Sequence, residues 1–174
     1  MPVPAPNLTP PFNVVRLSHV EYGVTDLARA RAFWVDTLGL QVTGEADGAM
    51  YLRAMEERGH HCVILRQGAP VARFVAFKLW SDADLDLAAD WFAAQNRPVA
   101  WVDRPFQGRT LATADPFGMP LEFYAVMDRL PSNHQKYSLY KGAKPLRIDH
   151  FNCFSPDVDR SVAFWNAMGF RVSE

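Results

Sequence analysis

Two stretches of this chain, 131 residues apart, carry the same pattern. Arg16-Leu17-Ser18-His19 stands over Arg147-Ile148-Asp149-His150, Asp26 over Asp157, Arg29 over Arg160, and Ala32-Phe33-Trp34 over Ala163-Phe164-Trp165. After a one-residue deletion, Gly39-Leu40-Gln41-Val42-Thr43 stands over Gly169-Phe170-Arg171-Val172-Ser173. Self-similarity at long spacing constrains architecture more firmly than local propensity does, because each copy must be the same supersecondary unit.

Each copy reads as strand, helix, strand. Residues 14–24 are rich in Val, Leu and Tyr and suit a strand. Thr25-Asp26 offers an N-cap, Leu27, Ala30, Trp34 and Leu38 form an apolar stripe, and Gly39 sits where a helix stops. The second copy starts its helix at Ser155-Pro156-Asp157, turns Val158, Val162 and Trp165 inward, and stops at Gly169. The pattern predicts helices over 26–38 and 157–168. Between them lie strand candidates at 40–44, 50–54, 61–66, 73–80, 99–103, 110–114 and 121–127, and a helix that begins at Ser81 and ends before Pro98. The order is βαβββ, βαβββ, a spacer, then βαβ. The expected class is α+β, with paired βαβββ modules forming a curved mixed sheet.

The expected organisation is an extended Pro-rich arm at 1–13, a complete two-module domain at 14–127, a linker at 128–146 with a short helix around 134–140, and the truncated start of a further domain at 147–174. A lone third unit leaves Ile148, Phe151, Phe154, Phe164 and Trp165 to be covered, so the natural protein is expected to continue past Glu174. An intact native product heavier than this chain would support that, and a native stop codon after Glu174 would overturn it.

Charge and composition narrow the function classes. Eighteen Lys+Arg against 19 Asp+Glu in 174 residues leave no field for nucleic acid, and no run approaches the ~20 apolar residues of a membrane span. Residues 1–11 hold five prolines and no Lys or Arg, which is not the charged start of a signal peptide. Cys62 and Cys153 are too few for a disulfide framework, and read as packing thiols in a reducing cytoplasm.

Several side chains could carry chemistry. His150 lies in a predicted strand between Asp149 and Phe151, at the position equivalent to His19. A two-His, one-carboxylate metal site needs three donors on one face with open positions for substrate. His19 and Glu122 in the last strand of the second module supply two, and Phe74, which cannot ligate, holds the place of a third. They therefore read as vestigial positions hydrogen-bonded to neighbours. His60 and His61, adjacent in a strand, are expected to point to opposite faces, one packed and one solvated. Asp82, Asp84, Asp86 and Asp90 read as a solvated helix face. No phosphate loop, nucleotide fingerprint or CxxC pair is present.

The segments Ile64-Leu65-Arg66-Gln67-Gly68 and Asp115-Pro116-Phe117-Gly118-Met119-Pro120-Leu121-Glu122-Phe123, and above all Gln135-Lys136-Tyr137-Ser138-Leu139-Tyr140 followed by Leu146-Arg147-Ile148-Asp149-His150-Phe151-Asn152, resemble type I extradiol ring-cleaving dioxygenases of the vicinal oxygen chelate superfamily. Within that family the chain looks most like the 3,4-dihydroxyphenylacetate (homoprotocatechuate) 2,3-dioxygenase branch. The resemblance covers residues 14–174. It implies a non-catalytic N-terminal domain, with His150 matching the first metal-ligand histidine of the catalytic domain and Asn152 matching its pocket wall. It also implies Fe(II), or Mn(II) in some members, in the complete enzyme, with a small aromatic diol and dioxygen as partners in a cytoplasmic homo-oligomer. The family's second histidine, glutamate and acid/base residues have no counterpart in this chain, which is expected to be inactive by itself and to hold no tightly bound metal. Two other readings stay open: a non-catalytic small-molecule binding module of the same fold, and a glyoxalase-like metal enzyme using His19 and Glu122.

Overall fold

The first module folds as a strand, a helix and three further strands, and the second module repeats that order. The computed structural model describes residues 3–173. Module one comprises β1 (Val14–Val24), α1 (Leu27–Arg31) running into a π-helical stretch (Ala32–Thr37), β2 (Gln41–Ala46), β3 (Ala49–Arg53) and β4 (Val63–Gln67). Module two comprises β5 (Ala72–Leu79), α2 (Asp82–Ala94), β6 (Ala100–Val102), β7 (Thr110–Ala114) and β8 (Pro120–Tyr124), and a third helix, α3, spans Val158–Ala167. The class is α+β. Strand order is β2-β3-β4-β1 in module one and β5-β8-β7-β6 in module two, so the βαβββ order expected of both modules appears as one topology used twice.

The chain forms two compact units. One holds Leu17–Val75 and Met127–Phe151. Within it β1 pairs parallel with β4, placing Val20 opposite Val63 and Tyr22 opposite Leu65, and β3 pairs antiparallel with β4 and β2. Asp47 and Gly48 both have positive φ (51° and 71°), which matches the strand twist in a two-residue hairpin and sets Ala46 opposite Ala49. All five residues of β3 are buried, with Leu52, Leu65 and Met55 fully enclosed.

The one-residue deletion in the repeat has a structural cause. In α1 and its continuation the Leu38 N–H donates to Phe33 O at 2.9 Å, an i→i+5 bond that takes up one more residue than an α turn. The third helix is α-helical throughout, so one residue fewer separates Trp165 from Gly169 than Trp34 from Gly39. Both glycines stop their helices in the left-handed region, with φ of 90° and 89°.

Within this unit residues 128–146 lie against the 17–75 segment. The N–H groups of Ala143 and Lys144 donate to Thr37 O and Leu38 O (3.2 and 3.1 Å), and Met55 and Glu56 N–H donate to Pro145 O and Leu146 O (3.1 and 2.8 Å). Arg53 Nη1 donates to Pro131 O at 3.0 Å. A single 3-10 turn, Tyr137–Leu139, stands where a short helix was expected.

The other unit consists of the described residues of Met1–Arg16, Ala76–Val126 and Asn152–Glu174. Its core is Phe12, Leu79, Leu85, Phe92, Leu111, Leu121, Phe123 and Met168. Ser81 caps α2, as predicted. Asp84, however, is not part of a solvated face: it is buried because its Oδ1 accepts from both the backbone and side-chain N–H of Asn13, each at 2.9 Å. Burial pushes its pKa up, and the hydrogen bonds from Ser81 and Asn13 outweigh that and leave it lowered. In α3, Phe164 is buried and tilts against Phe92 and Trp91, while Trp165 tilts against Phe77 and meets Phe170 edge-on.

Candidate functional site

Residues 147–154 are not a strand in this structure, contrary to the expectation for His150. A strand exists only through its ladder, and among the described residues nothing pairs with this segment. The His150 side chain is 85% exposed, and its Nδ1 lies 3.1 Å from Asp149 Oδ2. A carboxylate only accepts, so Nδ1–H donates to it. In the neutral ring that bond places the hydrogen on Nδ1 and leaves Nε2 as the acceptor. Asn152 is exposed as well.

His19 occupies the middle of β1 and is fully buried. Its Nδ1 is 3.1 Å from Ser18 Oγ, and its ring stands edge-on to His61 and Phe74, with centroids 4.5 and 5.7 Å away. Phe74 is a buried β5 residue. His60 and His61 correct the sequence expectation: they precede β4, lie outside any strand, and are both buried. Without the alternation of a strand, their Nδ1 atoms come within 3.3 Å, one donating and the other accepting. Burial pushes the His61 pKa down to about 3, helped by the adjacent His60. Burial lowers that of His60 too, with Asp128 pulling the other way.

Glu122, in β8, is likewise buried. Arg104 Nε donates to both of its carboxylate oxygens, at 3.1 and 3.2 Å, and Arg104 Nη2 also donates to Oε1. A second buried carboxylate, Glu21 in β1, takes Arg66 Nε at 2.7 Å and Arg73 Nε at 2.8 Å. The sequence reading missed both arginine partnerships. The available signal was a carboxylate within an apolar strand, which demands a cation. Among the described residues, no group of three or more His, Cys, Asp or Glu side chains is arranged to hold a metal ion. The donors present therefore do not fit a resident metal centre.

Beside α3 lies a cleft of about 530 Å³ lined by Cys153, Phe154, Val158, Val162, Trp165 and Phe170, among others. Its hydroxyls are spent on one another: Ser155 Oγ and Ser161 Oγ are 2.7 Å apart. Cys153 is exposed, not a packing residue as expected, because the segment that carries it has no ladder. Partial burial of its thiol and the nearby Asp115 raise its pKa, which disfavours a reactive thiolate. Cys62 is buried.

Comparison with known proteins gives a consistent outcome. Residues 16–123 match the model of the Glyoxalase/Bleomycin resistance protein/Dioxygenase superfamily. A metapyrocatechase from Geobacillus stearothermophilus is 27% identical over 178 residues, covering 95% of this chain and 54% of the relative. A manganese-dependent 2,3-dihydroxybiphenyl 1,2-dioxygenase from Geobacillus genomosp. 3 is 23% identical, covering 92% and 55%. The crystal structure of homoprotocatechuate 2,3-dioxygenase from Arthrobacter globiformis superimposes with a TM-score of 0.90 at 34% identity, covering 99% of this chain and 55% of that one. The chain spans about half the length of the curated relatives it matches.

Proposed function

The chain belongs to the Glyoxalase/Bleomycin resistance protein/Dioxygenase superfamily, and from that premise we propose that it is the N-terminal portion of a non-haem, metal-dependent extradiol dioxygenase. The parent enzyme opens the ring of a catechol, such as 3,4-dihydroxyphenylacetate, with dioxygen. The observation that carries this reading is the likeness, across nearly the whole chain, to a homoprotocatechuate 2,3-dioxygenase at 34% identity.

In this reading residues 14–127 form the non-catalytic domain, 128–146 the linker, and 147–174 the start of the metal-binding domain. His150 is a metal ligand with its tautomer fixed by Asp149, and Asn152 belongs to the pocket wall. His19 and Glu122 are vestigial, one in an aromatic cluster and the other neutralised by Arg104. Iron or manganese, a cytoplasmic location and assembly into a homo-oligomer belong to the same proposal.

The test compares two proteins, the 174-residue chain and the product of its coding sequence read to the natural stop. The longer product, loaded with Fe(II) or Mn(II), is expected to convert 3,4-dihydroxyphenylacetate to a yellow ring-cleavage product and to lose that activity in His150→Ala. The shorter chain is expected to give none. Yellow product from the 174-residue chain, or a natural stop directly after Glu174, overturns the proposal.

A further inference from the structure

We infer that the proline-rich N-terminal arm is a strap that closes over the C-terminal end of α3 and holds this helix on module two. One anchor of the strap is Phe12, which is fully buried. Its ring meets Trp91 and Phe123 edge-on, with centroids 5.7 and 6.0 Å away, and tilts against Phe92 at 6.1 Å. Asn13 extends that anchor, donating twice to Asp84 Oδ1 at 2.9 Å while its carbonyl accepts from Trp80 N–H at 3.0 Å.

The second anchor lies on α3. Asn7 Nδ2 donates to Ala167 O at 2.9 Å, and Asn166 Nδ2 donates back to Ala5 O at 3.3 Å. The Asn7 amide is oriented by the Thr9 N–H, which donates to its Oδ1 at 3.1 Å. The Pro10 ring packs on Gly169, within 3.0 Å of where a Cβ would stand.

These contacts meet a specific need. The last carbonyls of a helix have no donor within it, and Ala167 O obtains one from a residue 160 positions away in sequence. Ordering a terminal arm costs conformational entropy for every residue fixed. Prolines at 4, 6, 10 and 11 restrict the unfolded arm and reduce that cost. Asn166 also lines the cleft beside α3, so the strap fixes one of its walls.

Amide hydrogen exchange on the full chain tests the strap, using Asn7→Ala and a deletion of residues 3–8 that leaves Phe12 and Asn13 in place. Losing the Asn7 bond is expected to speed exchange of the α3 amides about fivefold. The deletion should speed it further, with α2 and β8 amides unchanged in both variants. Unaltered α3 exchange in both variants overturns the inference. Equal acceleration in α2 and β8 also overturns it, because the arm would then be a general part of the core.

Discussion

His61 shows how a single buried side chain couples this fold to pH. Unfolded, its imidazole takes a proton near pH 6.5; folded, it does so only at about pH 3. Between those values the unfolded chain binds the extra proton. The contribution of a neutral His61 is thus complete above about pH 6.5 and is lost as the pH falls toward 3. Urea midpoints measured from pH 7.5 to 4.5 should fall with pH, and His61→Phe should flatten the fall; parallel curves for the two proteins would count against this account. Arg104 permits a second measurement. Its side chain is 31% exposed whereas that of Glu122 is 3% exposed, so Arg104→Met strips a guanidinium from a carboxylate that stays buried. A loss of about 2 kcal/mol is expected, below the ~3–5 kcal/mol of a fully buried pair because Arg104 is partly solvated. Adding Glu122→Gln should recover part of it. These partnerships were not legible in the sequence. Arg104 and Glu122 are 18 residues apart, Glu21 and Arg66 45 apart, and no local pattern encodes which arginine reaches which carboxylate.

At the scale of elements, the repeat made the helix of module one and α3 legible, because apolar spacing, caps and stop glycines agree with one another in each copy. Strands β2 to β8 lie within a few residues of their expected positions. Local pattern did not reveal the π turn, since a helical stripe tolerates one extra residue without losing its face. Nor did it reveal the non-strand backbone at His60-His61, where the strand begins later than its apolar run suggests. Strand propensity at 147–154 was legible too, but propensity cannot supply a neighbour. The junction of α1 with residues 128–146 offers a sharp test. A Cβ on Gly39 would stand 1.9 Å from Lys141 O, in a backbone conformation that L side chains resist. Gly39→Ala is expected to cost at least about 2 kcal/mol, combining strain with displacement of the 128–146 segment. A variant as stable as the parent in thermal melts would show that the 128–146 segment does not seat there.

For the whole molecule, stability should be independent of metal. No three donors converge among the described residues, so these residues offer a divalent ion no three-donor site from which to add stability by mass action. The melting temperature of the 174-residue chain is expected to agree within about 1 °C in EDTA and in excess Mn(II); a rise of several degrees with the ion would reveal a site the geometry does not show. The position of the arm also bears on how the protein is made. Phe12 leaves the ribosome more than 140 residues before α3, yet both belong to one unit. The unit built from 17–75 and 127–151 has all its parts once residue 151 has emerged. Domains fold as units during synthesis, and exposed apolar surface invites aggregation while a unit waits. Phe12 and the face of α2 must therefore wait without the cover of α3 while the 60 or so residues between α2 and that helix are still being made.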